Sequence, residues 1–135
     1  MTALPPAYSG AVTFSFGDSP QMADELLALV VAGTKTATCG AVRDFGPGKA
    51  ALPEVGRRDV VLDGRGEPAA VIETVEVVRR RFNEIDEQFA FDEGEGFRTL
   101  DHWRSGHCDY FERNGGWAED LELVCERFRL IEVLK

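Results

Sequence analysis

An α+β domain, a small partly closed β-barrel with helices packed on its ends or outside, is the fold the sequence predicts. Three observations carry it. Two stretches, Met22 to Val31 and Leu100 to Phe111, repeat apolar residues at helical spacing, and runs of β-forming residues lie before, between and after them. The resulting order is strand, helix, several strands, helices and strand, with a mixed β-sandwich as the alternative arrangement of the same elements.

A short strand is expected over Thr13 to Phe16. It runs into Asp18, Ser19 and Pro20, where Ser19 suits the cap of a helix and Pro20 its first position. Met22, Ala23, Leu26, Leu27, Leu29, Val30 and Val31 form the apolar stripe of that helix, and Gly33 ends it in a left-handed cap. Thr36 to Cys39 is rich in β-formers but brief. Arg43 to Gly56, with Gly46, Pro47, Gly48 and Pro53, reads as a long loop of the kind that often carries function.

Asp59 to Asp63 and Ala69 to Val78 read as two strands of a hairpin joined around Gly64, Arg65 and Gly66. Simple alternation sends Glu73 and Glu76 to opposite faces of the second. Asn83 is the expected cap of a short helical turn containing Ile85 and Phe89, and the EGEG run from Glu93 to Gly96 is a turn or loop. Thr99 caps the next helix, whose stripe is Leu100, Trp103, His107, Tyr110 and Phe111 and whose end is Asn114, Gly115 and Gly116. Leu123 to Val133 supplies the last strand.

The chain of 135 residues is of a size that folds around one core, so residues 11–135 are expected to form a single domain behind a flexible arm at 1–10. No apolar run approaches the length that spans a bilayer, and the first ten residues lack the basic start and apolar middle of a secretory signal. A cytosolic location, away from membranes, is the expectation. Cys39, Cys108 and Cys125 show no CxxC pairing, which suits reduced thiols better than disulfides. The formal net charge of −9 repels polyanions unless basic residues cluster, and Arg79, Arg80 and Arg81 form the one basic run.

Three features have chemical potential. In the GTKTAT run, Lys35 and Thr38 suit a nucleophile and its base, provided a turn or bulge after Gly33 makes them converge. The plainer explanation is a lysine complementing a helix end beside ordinary strand threonines. In the EGEG turn, Glu93 or Glu95 can aim a carboxylate into a cleft as general acid or base, or the turn is simply solvated. His102 and His107, about 140° apart on a helix, do not share a metal, so His107 is read as a core or rim residue and no metal or cofactor is expected. P-loop, dinucleotide, HExxH and GxSxG signatures are absent from the sequence.

Several of these segments, taken in order, resemble the ASCH domain family of small, stand-alone bacterial proteins. They are FGDS at Phe16 to Ser19, AGTKTAT at Ala32 to Thr38, Leu52, Pro53 and Gly56 before Val60 to Asp63, and Phe89 and Ala90 leading to EGEG. Leu100, Trp103, Arg104 and His107 complete the set. The resemblance implies a PUA-like pseudo-β-barrel with peripheral helices, associated with RNA or modified nucleobases, and a cleft lined by the KxxT run. Bacterial members include an amidohydrolase that deacetylates N(4)-acetylcytidine, with a catalytic lysine and threonine in KxxT and a glutamate after a helix.

Carried over, those residues are Lys35, Thr38 and Glu93, with Glu95 as the alternative glutamate. The related amidohydrolases resemble KxxTxR, but Gly40 stands here where the arginine would be, and Arg43 is the nearby replacement. The expected activity is hydrolysis of a small nucleobase-like amide. Thr38 attacks, Lys35 takes the proton or stabilises the oxyanion, Glu93 passes a proton to the leaving amine, and Glu95, Arg43 and Trp103 contact substrate. The alternatives are a non-catalytic RNA or modified-nucleoside binding module and an ASCH-type ribonuclease.

Overall fold

The computed structural model describes residues 4–96 and 99–134. Its strands are β1 (Thr13–Phe14), β2 (Ala37–Ala41), β3 (Arg58–Leu62), β4 (Pro68–Arg81) and β5 (Glu122–Val133), and its helices are α1 (Pro20–Val31), α2 (Glu87–Asp92) and α3 (Leu100–Arg113). One mixed sheet contains all five strands in the order β1-β3-β4-β5-β2, parallel between β1 and β3 and antiparallel elsewhere. The helices lie around it. The first three residues of the expected arm lie outside the described ones. Beyond them Pro6–Tyr8 forms a 3-10 turn, and the Tyr8 hydroxyl donates to Glu132 at 2.5 Å.

Capping chemistry accounts for the helix starts. Ser19 Oγ accepts from the Met22 amide at 3.1 Å with Pro20 in the first turn, and Thr99 Oγ1 accepts from the His102 amide at 3.0 Å. The cap of α2 is Asp86, which accepts from the Phe89 amide at 2.9 Å, and not Asn83. The chain first makes a 3-10 turn over Phe82–Glu84, closed by the Glu84 carboxylate on the Arg81 amide. That turn uses up the helical start that Asn83 would have capped.

The strands also differ in detail from simple alternation. β4 extends past Val78 to Arg81 because its partner β5 runs the whole length beside it. A bulge between Thr74 and Glu76 inserts one extra residue, so Glu73 and Glu76 pair with Arg129 and Arg127 on the same face. Alternation without the bulge would have separated them.

Two apolar clusters flank the sheet. Phe82, Ile85, Phe89, Trp103, Phe111 and Leu123 pack under α2 and α3, while Phe16, Leu26, Val30, Ile72 and Phe128 pack under α1. The sheet curls enough that its two edges, β1 with the segment after it and β2, line one cavity of about 270 Å³. Among the described residues no helix is long and apolar enough to cross a membrane.

Candidate functional site

The site starts where α1 stops. Gly33 takes a φ of 80°, and the amides of Thr34 and Lys35 both return to the Leu29 carbonyl, at 2.9 and 3.1 Å. This reversal turns the chain inward before β2 begins. The EGEG turn comes to meet it: Gly94, with a φ of 66°, lies so close that a Cβ there would sit 2.2 Å from the Thr34 carbonyl oxygen. The Thr36 amide then donates to Asp92 O at 2.9 Å, joining the two segments.

Lys35 is consequently buried, with 1% of its surface exposed. Its ammonium donates to Ala37 O at 2.9 Å, to Glu93 O at 3.2 Å and to Glu95 Oε2 at 2.6 Å, so each of its three hydrogens has an acceptor. The Phe16 ring centroid lies 5.6 Å from Nζ. A charge this deep needs such a set of partners.

Glu93 is equally buried but looks the other way, toward α3. Its Oε2 accepts from Trp103 Nε1 at 2.5 Å and lies 3.0 Å from His107 Nε2. Trp103 and His107, one turn apart on α3, stack with ring centroids 4.1 Å apart and 17° between planes. His107 Nδ1 sits 3.0 Å from Trp103 O. Burial pushes the Glu93 carboxyl up, but the charges of His107 and Lys35 and the hydrogen bonds from His107 and Trp103 outweigh it and hold the group below the ordinary carboxylate value. For His107, burial works against the charged ring, while the Glu93 charge and hydrogen bond win and raise it. The favoured state is an ionised Glu93 against an imidazolium.

A cavity of about 110 Å³ opens onto this set, lined by Thr38, Cys39, Glu93, Glu95, His107 and Tyr110 among others. Thr38 and Cys39 also line the larger cavity between the sheet edges, so β2 is the wall the two share. On β2, Thr38 pairs with Glu126 and Cys39 with Cys125. Burial, reinforced by the Glu93 charge, pushes the Cys39 thiol well above its usual range, and Cys125 is pushed up to about 12.

Of the residues expected from sequence, Lys35, Glu93, Glu95 and Trp103 form one connected polar cluster, and Thr38 faces the cavity that both glutamates line. Glu93 and Glu95 divide the site between them: one carboxylate meets the α3 pair and the other meets Lys35. Trp103 is fully buried and occupied with Glu93 and His107, which leaves no ring face for a ligand. Arg43 lies elsewhere. Its guanidinium donates to Gly116 O at 2.6 Å beside the end of α3, and it lines neither of the two cavities.

Cys39 and His107 are the members sequence reasoning missed. The four-residue spacing of Trp103 and His107 on one helix face was the available signal for the histidine. Nothing in the sequence marked Cys39, whose carbon-copy setting among β-formers looks inert. Together with Glu93 these two bring a thiol, a carboxylate and an imidazole within 4.8 Å of one another.

The family model for the ASCH domain matches residues 12–132. The chain belongs to the ASCH domain family. A crystal structure of an Enterococcus faecalis protein is similar at 34% identity and a TM-score of 0.81, covering 90% of this chain and 77% of that one. An ASCH domain from Lactobacillus crispatus matches at 29% identity and a TM-score of 0.80, covering 92% and 81%. The Zymomonas mobilis ASCH protein shares the fold at 16% identity, a TM-score of 0.54 and coverage of 91% and 70%. A search of curated proteins finds no significant match.

Proposed function

We propose that this ASCH domain hydrolyses a small amide on a modified nucleobase, of the N(4)-acetylcytidine kind. The observation that supports the reading is the buried Lys35 ammonium, held by two carbonyls and by Glu95, a residue that lines the same cavity as Thr38 and Glu93. Thr38 Oγ forms a bond to the acyl carbon, and its proton passes to the ionised Glu93 carboxylate. Glu93 then delivers that proton to the exocyclic nitrogen as the C–N bond breaks. Water later hydrolyses the threonine ester.

Lys35 acts as a fixed positive charge for the developing oxyanion and not as the base, because all three of its hydrogens are already donated. The low charge on Cys39 leaves the hydroxyl of Thr38 as the better-suited nucleophile: a thiol held protonated by burial and by Glu93 has little thiolate to attack with. His107 keeps Glu93 ionised. A non-catalytic RNA reader would need a cationic surface, and the basic side chains at Arg79, Arg80 and Arg81 sit on the exposed end of β4, outside both cavities.

Purified protein incubated with N(4)-acetylcytidine should release cytidine. Thr38→Ala should abolish turnover, and Lys35→Ala, which removes the fixed charge, should lower kcat. Wild-type release no faster than either variant would contradict the proposal.

A further inference from the structure

We infer that Cys39, Glu93 and His107 form a binding site for one thiophilic divalent cation of the zinc type, with the adjoining cavity supplying the remaining coordination position. The inference goes beyond the proposed hydrolysis and does not depend on it: with a cation bound, Glu93 is a ligand, so the proton transfer drawn above belongs to the metal-free protein.

Donor identity is the first argument. A thiol sulfur, a carboxylate oxygen and an imidazole nitrogen, all within 4.8 Å of one another, are the ligand types that borderline-soft cations such as Zn²⁺ select. They come from β2, the end of α2 and the middle of α3, so their meeting is a product of the fold and invisible to spacing rules.

The second argument is orientation. His107 Nδ1 faces the Trp103 carbonyl, which can only accept, so Nδ1 carries a hydrogen and Nε2 is directed at Glu93. This is how proteins prepare a histidine to ligate, with the far nitrogen fixed by an outer-shell acceptor. Nε2 and a carboxylate oxygen cannot face each other 3.0 Å apart through lone pairs alone; either a proton or a cation lies between them. With bonds of about 2.0 Å, a cation spanning that separation makes an angle of roughly 100°, close to tetrahedral. Cys39 lies on β2, an edge strand, and its sulfur is within 4.8 Å of both of these donor atoms.

Charge and space are the third argument. Binding replaces two protons, one from the Cys39 thiol and one from the imidazolium, and leaves a dication balanced by one thiolate and one carboxylate. The neighbouring Lys35–Glu95 pair is already neutral overall. All three donors line the cavity of about 110 Å³, which has room for water as a further ligand.

The test uses the full chain, stripped with chelator and titrated with Co²⁺ alone, reading the thiolate-to-cobalt charge-transfer absorption and the ligand-field bands. One equivalent should bind with intense bands of tetrahedral type, and added Zn²⁺ should displace it. Cys39→Ser should lose the charge-transfer band and weaken binding by at least the roughly 10–100-fold that even an outer-shell change costs. Cys108→Ser, which alters a thiol that lines a different cavity, should change neither, and circular dichroism should show both variants folded. No charge-transfer band in the wild type, or a band that survives Cys39→Ser, would overturn the inference. If Cys39→Ser fails to fold, Glu93→Gln substitutes for it: bands unchanged in that variant would overturn the site equally.

Discussion

Glu93 and Glu126 are both about nine-tenths buried or more, at 1% and 9% exposure, yet their surroundings drive them to opposite states. Glu93 is met by His107, Lys35 and the Trp103 indole, and stays below the ordinary carboxylate value despite its burial. Glu126 lies across the β2 wall with Thr74 donating to it at 2.6 Å, and burial, with the Asp59 charge beside it, raises it above that value. Arg57, the nearest cation, is committed to Asp59 through two hydrogen bonds of 2.7 and 2.9 Å. Depth alone therefore does not decide whether a buried acid is charged; the cations and hydrogen-bond donors that meet it do.

The largest effect on this contrast should come from Lys35→Met. It strands Glu95 and two carbonyls and removes a cation from Glu93, and breaking a buried pair costs about 3–5 kcal/mol. Urea denaturation would show the loss, and a midpoint within error of wild type would mean that Lys35 is not anchored as described.

Gly94→Ala should follow. A left-handed residue with a Cβ costs about 1–3 kcal/mol in backbone strain, and here that Cβ also collides with the Thr34 carbonyl. The turn would have to lift from Lys35, so both stability and N(4)-acetylcytidine turnover should fall together, whereas Gly96→Ala, which shares the left-handed strain at a φ of 86° but meets no atom within 4 Å, should cost less stability and leave turnover nearly unchanged.

Trp103→Phe is a finer cut. It keeps most of the ring packing and deletes one hydrogen bond to a charged acceptor, an effect of about 1–3 kcal/mol. Because that bond favours the ionised form, the Glu93 titration should move upward in the variant. An unmoved titration would mean the indole contributes packing only.

The smallest effect carries the opposite sign. Glu126 is raised, so its contribution to stability is fully present below its unfolded value and is lost as pH climbs through its folded value. Glu126→Gln should accordingly stabilise the protein near neutral pH and lose that advantage in acid. Glu93 runs in reverse: its contribution is present above the unfolded value and lost as pH falls through the folded one. Thermal melts of Glu126→Gln across the acid range that showed a constant offset would remove the contrast.

Sequence reasoning read the elements well where the signal is local. Ser19 and Thr99 cap the helices as their chemistry implies, and the stripe Trp103, His107, Phe111 is buried as its spacing predicts. It failed where a tertiary partner decides. The bulge beside Val75, which puts Glu73 and Glu76 on one face, is fixed by register with β5, and Asp86 displaces Asn83 as a cap because a 3-10 turn intervenes.

The candidate site was legible only as separate pieces. KxxT and EGEG were each visible, but their meeting depends on Gly33 and Gly94 bringing two turns into contact, a long-range event with no local signature. Arg43 stands three residues after Gly40 in the chain. In space its guanidinium is drawn to the carbonyls that end α3, so proximity along the chain was a poor guide.

Carbon-13 NMR of the side-chain carboxyls, in chelator-treated protein followed across the acid range, examines the contrast most directly. Glu93 should titrate below an ordinary glutamate and Glu126 above one, with Glu93 still a carboxylate at a pH where Glu126 has taken up its proton. Coincident midpoints, or the reverse order, would contradict the claim that the cations around Glu93 outweigh its burial.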